Sequence, residues 1–215
     1  MSRPTLQISD LGITEYTDVF ARMRAFTDAR DADTPDQLWL NQHHPVFTQG
    51  QAGKPEHVLF PGDIPIVQSD RGGQVTYHGP GQITAYFLFD LRRLKIGVKE
   101  LVNGIEQVMI DTVGAFGIDA ARLENAPGVY VAGSKIGSLG LRVRRGCSYH
   151  GLSLNVDMDV EPFARINPCG LLNMQVIDMV QLQTVSFATV QDELVRQVLK
   201  RFAFDHHMWS NRPAA

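Results

Sequence analysis

Residues 129–156, VYVAGSKIGSLGLRVRRGCSYHGLSLNV, hold more information about the fold than any other part of the chain. Three apolar or alternating runs follow one another closely, at Val129–Ala132, Ser138–Val143 and Tyr149–Val156. Short segments rich in glycine, serine and arginine separate them, and runs bounded in this way are typical of β-strands. The stretch therefore predicts three consecutive strands with no helix between them.

The rest of the chain adds strands and helices on both sides of this stretch. Further apolar runs predict strands at Thr5–Leu11, Leu38–Leu40, Pro65–Gln68 and Ile83–Asp90. Apolar residues at helical spacing predict helices at Thr14–Ala29, Gly97–Phe116 and Thr189–Phe202. Because helices and strands are interspersed without a regular βαβ repeat, we predict an α+β fold with a mixed or mostly antiparallel sheet flanked by helices.

The composition indicates one domain in a reducing compartment. The 215 residues are 44% hydrophobic, which suffices for a single core, so we expect one domain over residues 1–215. A net charge of −3 provides no cationic field for nucleic acid. Two cysteines without paired spacing favour free thiols, and the sequence contains neither a signal-peptide pattern nor an apolar run long enough to span a bilayer. We expect a cytoplasmic protein that binds neither nucleic acid nor membrane.

The segment RGGQVTYHGPGQ at residues 71–82 combines four glycines and a proline with polar residues. Glycine lets backbone N–H groups approach a ligand closely, and Arg71 and His78 add polar side chains. The segment lacks the ending of a Walker A loop, and a strand follows it rather than the helix of a dinucleotide fingerprint. It is either a ligand-binding segment or an elaborate hairpin turn. Its triplet Tyr77-His78-Gly79 recurs at Tyr149-His150-Gly151, which we attribute to chance.

A lysine and a cysteine, both among small residues, form a candidate acyl-transfer pair. Lys135 lies in GSKIG and Cys169 in INPCG, so both are expected on loops. Only the thiolate of a cysteine is nucleophilic, and a nearby ammonium group lowers the pKa of a thiol. A simpler interpretation remains open, in which Lys135 is an exposed loop lysine and Cys169 a buried small hydrophobe. We take Cys147 as structural.

Histidine offers two alternatives to this pair. The candidates for a zinc site are His43, His44, His78, His150 and the two cysteines. Because no C-x-x-C, H-x-x-x-H or H-E-x-x-H spacing is present, we predict no metal. A Cys-His hydrolase that uses His78 or His150 is a stronger rival, since histidine is the commoner partner of a catalytic thiol.

Three segments taken together resemble one known family. The residues RGGxxTYHGPGQ at 71–82, KIGSLGLRVRRGCSYHGLSLNV at 135–156 and INPCG at 166–170 closely resemble the lipoyl(octanoyl) transferases, which catalyse the first step of endogenous protein lipoylation. The likeness also includes HPVFT at 44–48 and the pair Glu56-His57. It covers most of the chain from about residue 35 to residue 180.

The resemblance implies a catalytic domain similar to those of biotin and lipoate protein ligases, with a core at about residues 31–207 and a flexible tail at 208–215. It implies that Cys169 forms an acyl-thioester intermediate and that Lys135 tunes this thiol. By the same matching, the groove for the acyl substrate would be lined by Arg71, Gly72, Gly73, Gln74, Val75, Thr76, Tyr77, His78, Ser138, Leu139, Gly140, Gly151, Leu152 and Ser153. No cofactor is implied, neither ATP nor a metal.

The implied partners are octanoyl-acyl carrier protein as donor and the apo lipoyl domains of 2-oxoacid dehydrogenase complexes and glycine cleavage H protein as acceptors. Because such partners are commonly acidic, two cationic groups are candidate docking charges. They are Arg92, Arg93 and Lys95, and Arg142, Arg144 and Arg145. The alternatives are an ATP-dependent lipoate or biotin ligase, which would need no nucleophilic cysteine, and a binding module without activity. The cysteine and the length of the chain favour the transferase.

Overall fold

The protein is described by a computed structural model over residues 5–167 and 174–211. The strands are β1 (Thr5–Thr14), β2 (Asp36–His43), β3 (Val46–Gln49), β4 (Ile66–Gln68), β5 (Val75–His78), β6 (Gln82–Leu88), β7 (Ala121–Leu123), β8 (Ala126–Val131), β9 (Ser134–Arg144), β10 (Cys147–Asn155) and β11 (His206–Asn211). The helices are α1 (Tyr16–Ala29), α2 (Leu91–Leu94), α3 (Val98–Gly114) and α4 (Phe187–Arg201), and short 3-10 helices cover Pro55–His57 and Glu161–Arg165.

One large sheet forms the centre of the molecule, with its strands in the order β11-β1-β2-β6-β10-β9-β8-β7. Strand β1 runs parallel to both β11 and β2, and the remaining pairs of this sheet are antiparallel. This confirms the predicted α+β fold with a mixed sheet. The stretch at 129–156 forms β8, β9 and β10, three consecutive antiparallel neighbours, as predicted.

One face of the large sheet carries the main hydrophobic core. Alternate residues of β6, among them Ile83, Ala85 and Phe87, pack there against α3 and α4. Helix α3 contributes its apolar stripe, including Leu101 and Ile105, and begins where the Glu100 carboxylate accepts a hydrogen bond from the N–H of Gly97. Truncation of a side chain as deeply buried as Phe87 costs about 3–5 kcal/mol in such a core.

The opposite face of the sheet is covered in two parts. Helix α1 packs Val19 and Met23 against Trp39, Tyr86 and Leu88, which forms a smaller apolar cluster. Beside it lies a second sheet of three strands in the order β4-β3-β5. Between the small sheet, α1 and the large sheet a cavity remains open, and it contains the candidate site.

Several local expectations differ from the structure. Residues 75–78, expected within a loop or turn, form β5, because Val75 and Tyr77 bury their side chains in an apolar cluster under the small sheet. A flexible tail was expected from residue 208, but His206–Asn211 form β11, which pairs with β1. Among the described residues no helix is long and apolar enough to cross a membrane.

Candidate functional site

The cavity has a volume of about 290 Å³ and lies on the face of the large sheet opposite the main core. Its floor consists of cavity-facing residues of β6, β10 and β9, which lie side by side in two rows. One row crosses the sheet from Thr84 through Ser153 to Ser138, and the next from Tyr86 through Gly151 to Gly140. The hydroxyl residues of the first row and Gly140 in the second make this part of the floor small in side-chain volume, which leaves space for a ligand.

Two glycines of the floor are required by close packing. A Cβ atom at Gly151 would collide with the backbone carbonyl oxygen of Ala85, and one at Gly140 would lie 2.9 Å from the carbonyl oxygen of Gly72. The glycine-rich segment can therefore approach β9 closely, and the N–H of Gly72 donates a hydrogen bond of 2.9 Å to the carbonyl oxygen of Leu141. This contact fixes the segment at 71–74 as the roof of the cavity.

The roof contains a buried arginine. Arg71 is 8% exposed, and its Nη2 donates to the carbonyl oxygen of Thr48 at 2.6 Å and to the Thr48 hydroxyl at 2.8 Å. A guanidinium held by such bonds keeps a fixed orientation, because a buried charge is costly unless its donors are satisfied.

A chain of hydrogen bonds continues from Arg71 through the site. The Thr48 hydroxyl accepts from Arg71 and donates to Nε2 of His78 at 3.3 Å, so Nδ1–H of His78 donates to Oε1 of Gln82 at 2.7 Å. The amide of Gln82 donates to Asn155 at 2.9 Å, and Asn155 donates to the carbonyl oxygen of Ile177 at 3.0 Å. This direction of donation fixes the tautomer of His78 and occupies both of its ring nitrogens. The geometry therefore disfavours His78 as the base of a Cys-His hydrolase.

Lys135 lies in the wall of the cavity and is 6% exposed. The expectation of a loop lysine was wrong, because residue 135 belongs to β9. A register shift between β8 and β9 pairs Tyr130 with Lys135 but Val129 with Gly137. Lys135 and Gly137 would share a face in a regular strand, whereas here Gly137 faces Met109 in the core and Lys135 faces the cavity. The bulge thus turns the ammonium group toward the cavity, where Nζ lies 5.4 Å from the ring centre of Tyr130.

The predicted nucleophile, Cys169, lies outside the described residues. The nearest described residues are Asn167 before it and Met174 after it. Before it, the N–H of Asn167 donates to the carbonyl oxygen of His57 at 2.7 Å. After it, the N–H of Lys135 donates to the carbonyl oxygen of Gln175 at 2.8 Å, and the N–H of Ile177 donates to that of Lys135 at 3.0 Å. The segment that follows Cys169 therefore pairs directly with the backbone of Lys135.

Most of the residues expected to contact a substrate line the cavity. They are Arg71, Gly73, Gln74, Val75, Thr76, His78, Ser138, Leu139, Gly140, Gly151, Leu152 and Ser153. Gly72 and Tyr77 were expected there too, but neither lines it. The backbone N–H of Gly72 is bonded to Leu141, and the Tyr77 ring points away to pack at a tilt against Phe47 and edge-to-face against Phe163.

Tyr16 and Tyr86 line one part of the cavity together with His78 and His150, and His43 contacts both tyrosine rings. Burial lowers the pKa of His43 to about 4 and that of His78 to about 3. Burial also lowers the pKa of His150, although a hydrogen bond of 2.8 Å to Asp70 opposes this shift. Burial raises the pKa of Tyr86 well above its ordinary value, so its hydroxyl stays protonated beside His43.

His150 has an unusual backbone conformation, with φ at +62°. This conformation places its ring against that of Tyr149, and both side chains bond to the carboxylate of Asp70. Its Nδ1 has no hydrogen-bond partner within residues 5–167 and 174–211. Gly151, its neighbour, pairs with Gly140, which is five residues from Lys135, or roughly 15 Å along the strand. His150 is therefore placed too far from Lys135 to exchange a proton with a group beside it.

Several residues that line the cavity were not among the predicted substrate contacts. Tyr16, Ala52, Thr84, Tyr86, Asn125, Pro127 and His150 also line the cavity. For His150 a signal existed in the repeated Tyr-His-Gly triplet, because His78 and His150 both face the cavity. No group of three or more His, Cys, Asp and Glu side chains suited to a metal ion occurs in the part of the chain that the structure describes.

The cationic groups proposed for docking are largely engaged within the protein. Arg144 and Arg145 both pair with Asp28, at 2.9 and 3.8 Å. Arg92 pairs with Asp90 at 3.1 Å, and Arg93 with Asp36 at 3.3 Å. Arg142 instead donates to the amide oxygen of Gln51 at 2.7 Å, next to the cavity residue Ala52. Arg144 also lies nine residues along β9 from Lys135, or roughly 30 Å.

Comparison with known proteins agrees with this geometry. The family model of the lipoyl protein ligase A/B catalytic domain matches residues 15–199. An octanoyltransferase of Cellvibrio japonicus is 57% identical over 204 residues, which cover 94% of this chain and 95% of that protein.

Two solved structures share the fold. The bipartite lipoate protein ligase of Thermoplasma acidophilum has a TM-score of 0.77 at 14% identity, covering 99% of this chain and 89% of that one. The biotin protein ligase of Aquifex aeolicus has a TM-score of 0.53 at 8% identity, covering 93% of this chain and 69% of that one. These two likenesses confirm the predicted biotin and lipoate ligase fold. With the family match and the close octanoyltransferase relative, they show that the chain belongs to the lipoyl protein ligase A/B catalytic domain family, as its sequence motifs predicted.

Proposed function

We propose that this protein transfers the octanoyl group of octanoyl-acyl carrier protein to the lysine of an apo lipoyl domain, through a thioester on Cys169. Octanoyl transfer is the activity by which its close relative is named. To this activity we add the identity of the donor and acceptors, the covalent intermediate, and the independence from ATP and metal. Its cytoplasmic location stays a prediction.

One observation carries this proposal. The ammonium group of Lys135 is buried in the wall of a cavity, and its backbone pairs with the segment that follows Cys169. A buried ammonium group is costly unless an anion or another partner stabilises it, and it stabilises a thiolate in return. The pairing of residues 175–177 with Lys135 supports a position of Cys169 within reach of this group.

The two chemical steps balance without a further reactant. The Cys169 thiolate attacks the thioester carbonyl carbon, a new C–S bond forms, the bond to the pantetheine sulfur breaks, and Lys135 donates a proton to the departing thiolate. The amine of the acceptor lysine then attacks the acyl-enzyme, the C–S bond to Cys169 breaks, and neutral Lys135 accepts a proton from the amine. Exchange of one thioester for another is nearly isoenergetic, and formation of the amide is downhill, so no ATP is needed.

The cavity accounts for an acyl chain of moderate length. Three backbone bonds of an extended peptide span about 3.5 Å, so an eight-carbon chain is roughly 8 Å long. Such a chain covers about half of the distance of roughly 15 Å between Lys135 and Gly140 along β9. The floor around Gly140 offers it an open surface, and the apolar residues Val75 and Pro127 also line the cavity. Each buried methylene group contributes about 0.8 kcal/mol, so neighbouring chain lengths are separated only modestly.

The test is incubation of the protein with octanoyl-acyl carrier protein and an apo lipoyl domain, without ATP, followed by intact mass spectrometry of all three. Octanoyl on the lipoyl domain, with an acyl adduct on the enzyme that is absent in Cys169→Ala, would support the proposal. Cys147→Ala is the matched control and should keep both products, since Cys147 is buried at the far end of β9 and β10. Transfer that requires ATP and free octanoate would identify a ligase and refute the proposal.

A further inference from the structure

The position of the Lys135 ammonium group depends on a glycine in the neighbouring strand. Gly128 lies in β8, and its φ of +132° is one that other residues rarely adopt. A Cβ atom at Gly128 would lie 2.6 Å from Cε of Lys135 and 3.2 Å from Nζ. The lysine side chain therefore extends directly over the bare Cα of Gly128.

Gly128 is itself held in place by a buried carboxylate. Its N–H donates to Oε1 of Glu106 at 3.0 Å, and Glu106 is 6% exposed on α3. The other oxygen, Oε2, accepts from Nε of Arg122 at 2.9 Å. Arg122 is anchored in turn to α3 through the carbonyl oxygen of Asn103 at 2.8 Å. Helix α3 thus fixes the β7–β8 hairpin, and the hairpin fixes the surface on which Lys135 lies.

We propose that Gly128, held by Glu106, is a positioning residue for Lys135. It acts by the absence of a side chain, which lets the ammonium group reach the cavity from a buried strand. The Tyr130 ring, 5.4 Å from Nζ, borders the same position. This inference rests on the proposed role of Lys135 toward Cys169, and it adds the residues that keep Lys135 in place.

The first variant to test it is Gly128→Ala, with Gly133→Ala as its control. Gly133 also has a positive φ, +85°, and lies in the turn between β8 and β9, but a Cβ atom there would meet nothing within 4 Å. Both variants add one methyl group at a glycine with a positive φ. Only the methyl group at residue 128 displaces the Lys135 side chain. Because Cε is near the end of a flexible side chain, the lysine yields first, and Gly137, whose carbonyl oxygen would lie 2.8 Å from the new Cβ, shifts by less.

Two measurements distinguish displacement of Lys135 from general damage. In Gly128→Ala we expect kcat to fall by about 100-fold, as a misplacement of about 1 Å can cause, with KM for the carrier little changed. The pH profile of Cys169 alkylation, followed on its peptide by mass spectrometry, should move up by about one pH unit because the thiolate loses its cation. Gly133→Ala should leave both unchanged. An unchanged pH profile in a folded Gly128→Ala protein would overturn the inference.

Lys135→Met separates this inference from the proposed function. If Lys135→Met leaves the alkylation profile unchanged, the Cys169 and Lys135 pairing itself is wrong. If Lys135→Met moves the profile and Gly128→Ala does not, only the positioning role fails. Should Gly128→Ala not fold, Glu106→Met removes the acceptor of the Gly128 N–H and should move the profile in the same direction. Arg122→Met loosens the same hairpin but keeps that acceptor, so it should move the profile less than Glu106→Met, and equal shifts for these two variants would refute the role of the bond to Gly128.

Discussion

Buried histidines should make the free energy of unfolding fall as the pH is lowered from 7 to 5. Burial lowers the pKa of His43 to about 4 and that of His78 to about 3, whereas histidine in an unfolded chain titrates at about 6.5. Below that pH the unfolded chain binds protons that the folded protein excludes. This contribution to stability is therefore complete above about pH 6.5 and is lost as the pH falls toward the folded pKa values.

The loss of unfolding free energy can be calculated from the pH interval in which only the unfolded chain takes up the proton. Each histidine reduces the free energy of unfolding by about 1.4 kcal/mol per pH unit while only the unfolded chain takes up its proton. Over the interval of about 1.5 units above pH 5, one histidine accounts for about 2 kcal/mol, and His43 and His78 together for about 4 kcal/mol. His150 acts in the same direction, because its pKa is also lowered by burial.

The assay is urea unfolding at pH 7 and pH 5 for the parent protein and for His78→Asn. The Asn amide can still donate to Oε1 of Gln82, as Nδ1–H of His78 does at 2.7 Å. The loss of stability between the two pH values should be about 2 kcal/mol smaller in this variant. Thr48→Val, which removes the donor to Nε2, should lower stability at both pH values and keep the full pH effect. An equal pH effect in the parent and in His78→Asn would refute the account.

Three further predictions concern substrate length, backbone packing and docking. Replacement of octanoyl by hexanoyl removes two methylene groups and should lower kcat/KM by about 15-fold in a competition assay with both carriers, since each group contributes about 0.8 kcal/mol. Gly81→Ala should cost at least about 2 kcal/mol in urea unfolding, because φ is +83° and the new Cβ would collide with the carbonyl oxygen of Asp157. Arg142→Glu should raise KM for the carrier and weaken its dependence on salt, whereas Arg144→Glu, at an arginine already paired with Asp28, should change KM much less.

The fold could be predicted from the sequence wherever one face of an element is continuously apolar. Helix α3 and strand β6 belong to this group, because both bury an apolar face in the main core. Strand β5 was missed because its four residues carry a threonine and a histidine among glycine-rich neighbours. Its two apolar side chains pack only against a cluster formed by the small sheet and the segment at 158–166, a long-range contact that local sequence does not reveal.

Residues of the candidate site were predicted where they belong to a recognisable sequence motif. They were missed where they lie in a strand or helix outside such a motif. The glycine-rich segment and the residues of β9 and β10 were identified through their resemblance to a family. Thr84 and Tyr86 were not, although both lie in a strand that was predicted and alternate there with the core residues Ile83, Ala85 and Phe87, because such an alternation indicates a half-buried strand and not which ligand its polar face would contact. Tyr16 belongs to the predicted helix at Thr14–Ala29, and its cavity position depends on how α1 lies across the sheet.

The bulge at Lys135 explains why a small-residue motif in a strand was mistaken for a loop. Strand β9 has to place Gly137 against the core and Ser138 and Gly140 in the cavity, which a regular alternation allows. It also has to place Lys135 in the cavity, which alternation forbids, since residues 135 and 137 would then share a face. One extra residue in the β8–β9 pairing removes the conflict, and without it the lysine would point into the apolar core. Glycine and serine around Lys135 are thus the residues that a strand needs when it must bulge and leave space beside a charged group.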